Sequence, residues 1–192
     1  MMRYLSLAAV AVTLFATPAY AQTDTAPDGT PAFGIEPYVG VTGGYNNFDS
    51  DNRGPLTTNC NPSSGCPDGG FVEAVAGINI PLSALFVGVE GNIAKGFKGI
   101  DYEYGVYGRA GLRAGDSGLI YGKVGYQWIE TDERSNGNRD DDGIAYGLGV
   151  EVGPKDIGLG GLTGNSGARI RLEVSTFDLQ NIRPSAGVIF HF

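Results

Sequence analysis

From residue 35 to residue 192 the chain repeats one pattern eight times: about ten residues in which every second side chain is apolar or small and none of that set is charged. A strand turns successive side chains to opposite faces, whereas a helix would space an apolar stripe by three and four residues. The eight segments are Ile35–Tyr45, Phe71–Ile80, Leu85–Ala94, Asp101–Ala114, Leu119–Ile129, Gly143–Val152, Ala168–Phe177 and Arg183–Phe192. The fourth is typical, with Tyr102, Tyr104, Val106, Gly108, Ala110 and Leu112 at its even positions. The intervening positions of the eight segments carry the charges: Glu36, Glu73, Glu90, Glu103, Glu151 and Glu173 against Arg109, Arg113, Lys123, Arg169, Arg171 and Arg183. Six glutamates thus meet six bases. Glycine supplies 32 of 192 residues, well above the ~7% of an average protein, and it is a poor helix former. The pattern predicts an all-β protein of eight antiparallel strands with two chemically unlike faces.

Either face can point inward. A soluble, lipocalin-like barrel buries the apolar face and wets the charged one; a transmembrane barrel turns the apolar face to lipid. Three features favour the second. The charged face is rich in glycine (Gly105, Gly111, Gly125, Gly147, Gly149, Gly187), which suits a narrow eight-stranded interior that must fit long charged side chains. Connections alternate in length, with long links at 46–70 and 130–142 and short ones at 81–84 and 115–118, although 153–167 breaks the alternation. With the long links outside, Tyr45, Tyr102, Tyr104, Tyr126, Trp128 and Tyr146 share one level at the outer edge, an aromatic girdle, and Phe190 and Phe192 mark the opposite edge.

The N-terminal stretch is read as an address. Residues 1–21 combine Arg3, an apolar core from Leu5 to Ala16 and the small-x-small sequence Ala19-Tyr20-Ala21, which predicts a secretory signal peptide. Residues 22–34, rich in Thr, Pro and Gly, are expected to form a flexible periplasmic lead-in, and 35–192 the barrel. Beyond residue 21 no run of 18 apolar residues offers a transmembrane helix. Cys60 and Cys66, the only cysteines, lie among turn formers in the first long link, and in an exported protein two such neighbours are expected to pair as a disulfide.

The signal sequence, eight alternating strands and terminal Gly187–Phe192 (GVIFHF) resemble a small bacterial outer-membrane β-barrel of the opacity-protein/porin-like, OmpA-type group. The resemblance implies an eight-stranded up-and-down barrel in the bacterial outer membrane, in contact with its lipid and lipopolysaccharide. It also implies that Phe192, with Phe190 and Val188, serves as the signal read by the barrel-assembly machinery.

On the inner faces, Glu90, Arg109, Lys123, Arg171 and Glu173 are expected near mid-height, and Arg113, Glu151, Arg169 and His191 nearer the periplasm. Charges removed from water need partners, so an interior plugged by ion pairs is the leading expectation, with a narrow porin as the alternative. A nucleophile–base arrangement cannot be assembled at the external face around the single histidine, so no catalytic residue and no cofactor are assigned. Asn138, Asp140, Asp142 and Gly143 imitate the start of a calcium loop, but Gly149 stands where its terminal Glu is required, and no metal site is assigned. A formal net charge of −8 disfavours nucleic acid. The remaining candidates are the acidic external loops, as contacts for an extracellular ligand of unassigned chemistry.

Overall fold

A computed structural model of the chain describes residues 34–48, 69–82, 84–97, 100–114, 118–131, 141–153, 167–179 and 181–192. These form eight strands: β1 (Glu36–Phe48), β2 (Gly69–Leu82), β3 (Leu85–Gly96), β4 (Ile100–Ala114), β5 (Gly118–Thr131), β6 (Asp141–Val152), β7 (Ala168–Phe177) and β8 (Asn181–His191). Each pairs antiparallel with its neighbours in chain order, and β8 returns to β1, so the sheet closes on itself. Closure leaves no strand edge unpaired, which a sheet immersed in hydrocarbon requires.

The period-two pattern maps onto this barrel, with one register shift in the described pairing, between Ile100 and Tyr102 at the start of β4. Val39 and Val41 on β1, Val87 and Val89 on β3, Leu148 on β6 and Leu172 and Val174 on β7 all point outward and are exposed. The lipocalin-like alternative is therefore overturned, since it needs these side chains inside. The inner faces carry the six glutamates with Arg109, Lys123, Arg169, Arg171 and Arg183, all buried, and Arg113, which is half-buried. An interior of charge inside a wall of valine and leucine is the arrangement of a membrane barrel.

Two details differ from the sequence expectations. At the end opposite residues 35 and 192, strands β2, β3, β5, β6 and β8 run two residues farther and β1 three, so Lys95 and Glu130 stand on the outer face in register with Tyr102, and Asp142 in register with Trp128. The links at that end also vary: β7 and β8 are joined across 178–180 only, so long-outside and short-inside holds for some links and not for all. That short link is tight because Asp178 and Leu179 adopt left-handed backbone (φ 47 and 60°). The Asp178 carboxylate accepts the Ile144 N–H at 3.0 Å, while the Asp178 N–H donates to the Ile144 carbonyl at 2.9 Å. These bonds offset the backbone cost of the turn.

Candidate functional site: the charged interior

The barrel interior is built in three levels. At the end holding residues 35 and 192, Glu36 of β1 receives Arg113 of β4 at 2.7 Å and Arg169 of β7 at 3.3 Å. His191 of β8 lies between two carboxylates, with Nδ1 at 2.8 Å from Glu36 and Nε2 at 2.7 Å from Glu151, and its ring stacks on Tyr38 at 5.2 Å. The first and last strands are thus joined by side chains as well as by the backbone ladder.

At mid-height Glu90 is the hub. Its carboxylate meets Arg171 at 2.6 Å, Lys123 at 3.0 Å and Arg109 at 3.2 Å, and accepts the Tyr38 hydroxyl at 2.9 Å. Glu151 shares two of these cations, Arg171 at 2.7 Å and Arg109 at 2.9 Å, so it joins this level to the His191 level. Glu173 accepts Lys123 at 2.7 Å and the Tyr121 hydroxyl at 2.6 Å. The Arg109 guanidinium carbon also lies 3.9 Å from the Tyr121 ring centroid and 5.0 Å from that of Tyr38.

Toward the other end, Arg183 of β8 meets Glu103 at 2.6 Å and Glu73 at 3.8 Å and lies 3.7 Å over the Phe71 ring. Neutral groups complete these acceptors. Thr42 donates to Glu73 at 2.9 Å and Asn92 also donates to it; Asn46 and Gln127 donate to Glu103 at 2.9 and 3.2 Å.

All eight residues singled out for the interior, Glu90, Arg109, Lys123, Arg171, Glu173, Arg113, Glu151 and Arg169, lie on inner faces and take part in this network. Glu36, Glu73, Glu103 and Arg183 belong to it equally. The inward tyrosines were missed as participants. Tyr38, Tyr107 and Tyr121 sit on the charged parity of their strands, and that parity is the signal that places them inside.

The tyrosines also revise the reading of the inner glycines. Tyr38 lies directly across from Gly77, Tyr107 from Gly125, and Tyr121 from both Gly111 and Gly149. A Cβ on Gly149 would stand 2.4 Å from the Tyr121 ring. Gly147, against the Lys123 stem at 3.0 Å, does make room for a charged side chain as expected. Much of the other space is taken by tyrosine rings, which carry a hydroxyl to a polar acceptor while their flat bodies fill the lumen.

The outer wall holds the aromatic set. Tyr45, Tyr102, Tyr104, Tyr126 and Tyr146 are exposed there, and Trp128 is half-buried. Phe190 and Phe192 are exposed at the opposite end. Cys60 and Cys66 and the segments 1–33, 49–68 and 132–140 lie outside the described residues, as does nearly all of the 153–167 link. Among the described residues no cluster of His, Cys, Asp and Glu is placed to hold a metal ion.

A family model described as outer membrane protein beta-barrel domain matches residues 7–186. No curated protein sequence matches significantly. Among solved structures, Neisserial surface protein A is similar at 15% identity and a TM-score of 0.46, covering 82% of this chain and 97% of that one. The attachment invasion locus protein Ail of Yersinia pestis, solved with a heparin analogue, is similar at 13% identity and a TM-score of 0.39, covering 82% and 97%.

Proposed function

The chain belongs to the outer membrane protein beta-barrel family, and for this barrel of the bacterial outer membrane we propose a structural and surface-interaction role, with an interior closed by ion pairs. The observation that carries the closed interior is charge matching. Each of the six inner-face glutamates and six inner-face bases has an oppositely charged atom within 3.8 Å. A conducting lumen keeps its charges hydrated; here they are spent on one another, across a bore that eight strands leave about wide enough for side chains. The role is non-catalytic. The chain's one histidine lies between Glu36 and Glu151, its Nε2 hydrogen-bonded to Glu151, at the end of the barrel away from the links that face outward in this reading.

The surface part of the role falls to the links at 49–68 and 132–140, which carry six of the chain's 21 acidic residues. Single-channel recordings of the folded protein in planar bilayers are expected to give no large, steady conductance. A persistent open level that survives repurification would overturn the closed interior and restore the narrow-porin alternative. Orientation has its own check: trypsin added to intact cells should cut at Arg134 or Arg139. Cleavage there only after the outer membrane is breached would invert the assignment of the two ends.

A further inference from the structure

The outer-wall aromatics do not form an even ring. At the edge opposite residues 35 and 192 they are densest on β4, β5 and β6, with Tyr45 on β1 and Phe97 just past β3, whereas β2, β7 and β8 present Val72, Thr176 and Ile182 near the same edge. A general preference of aromatic rings for the membrane interface would distribute them around the whole circumference. Within the patch the rings contact one another. Tyr104 and Trp128, directly opposed in register, stack at 5.6 Å and 17°, and Tyr126 meets Trp128 edge-on at 5.0 Å.

The patch also has an acidic crest. Tyr104 donates its hydroxyl to Glu130 at 3.2 Å, and Tyr126 donates to Asp142. Lys95 stands 4.1 Å over the Tyr102 ring at one side. Fixed aromatic faces bordered by carboxylates are the chemistry that holds a pyranose ring. The sugar's apolar C–H face lies on the electron-rich ring, and its hydroxyls donate to the carboxylates. The carboxylates disfavour a phosphate as the docked group, since like charges repel.

We propose that this patch on β4–β6 docks the core sugar of an outer-leaflet lipopolysaccharide molecule. The inference rests on the outer-end assignment made above and commits to a membrane-borne sugar for a geometric reason. The side chains lie on the lipid-facing parity of their strands, so they open sideways into the headgroup layer and not upward with the external links.

Trp128 is the only tryptophan, so its quenching by acrylamide reports on the patch directly. The full-length folded protein is reconstituted in phosphatidylethanolamine–phosphatidylglycerol vesicles containing lipopolysaccharide with its core sugars, lipid A alone, or neither with soluble core oligosaccharide added. Core-bearing lipopolysaccharide is expected to reduce quenching at least twofold relative to lipid A, and the soluble oligosaccharide to leave it unchanged. A Tyr104→Leu/Tyr126→Leu variant, suited to the lipid face and checked for folding by its heat-modifiable migration, should lose that protection. An Ile120→Leu variant, on the outer wall at the opposite end of β5, should keep it. Equal protection by lipid A, protection by the soluble oligosaccharide, or full protection in the double tyrosine variant would each overturn the proposal. Both leaflets carry the added lipid, so failure here is separable from an inverted orientation, which the trypsin result reports.

Discussion

Glu90→Ala should give a barrel that loses its folded, fast-migrating form on gels under conditions where the parent protein keeps it. The carboxylate sits among Arg109, Lys123 and Arg171. Its removal leaves three buried cations to share Glu151 and Glu173, and Tyr38 loses its acceptor. Breaking a buried ion pair by deleting one partner costs about 3–5 kcal/mol, a large part of the roughly 5–15 kcal/mol that stabilises an ordinary domain. Glu90→Gln keeps the volume and an acceptor for Tyr38 and removes only the charge, so its loss should be smaller. Urea unfolding in detergent micelles measures both. An unchanged midpoint for Glu90→Ala would mean that the network fills space without holding the barrel together.

The second large effect is expected at inner glycines, and it separates two reasons for having them. At Gly125 an added Cβ would stand 2.1 Å from the Val106 carbonyl oxygen, a backbone atom of the paired strand. At Gly149 its three nearest atoms would all belong to the far end of the Tyr121 side chain, from 2.4 Å outward. Both alanine substitutions should destabilise by about 1–3 kcal/mol, the range of overpacked cores. Only the second should be rescued by shrinking its neighbour. In a Tyr121→Ala background Gly149→Ala should cost almost nothing more, while Gly125→Ala should keep its full cost in a Tyr107→Ala background. Double-mutant cycles on unfolding midpoints read the coupling directly. Equal coupling in both pairs would show that the close approach of β4 and β5 at Gly125 can relax.

These two predictions mark how far the sequence could be read. That Glu90, Arg109, Lys123 and Arg171 share one side of the sheet was legible because parity along a strand is local: neighbouring side chains must point to opposite faces. The same argument put Val39, Leu148 and Leu172 on the other face. It would also have placed Tyr38, Tyr107 and Tyr121 inside, had ring and hydroxyl been weighed alongside charge. The pairing of particular groups was not legible. Arg171 and Glu90 stand 81 residues apart and meet across the lumen from β7 and β3. Which carboxylate a given arginine reaches depends on strand tilt and on the stagger at which β8 closes on β1, and no local pattern encodes either.

By itself, then, the sequence determined eight strands, the two faces of each, the membrane setting and the identity of the charges that must share an interior. Each follows from a period of two and the cost of leaving charge in hydrocarbon. The closed barrel decided the rest. It made Glu90 and Glu151 the hubs, set His191 between Glu36 and Glu151 at the seam, laid Tyr121 over Gly149, and gathered Tyr104, Tyr126 and Trp128 into one patch on the outer wall. The physical reason is that closure converts separation along the chain into adjacency around a ring.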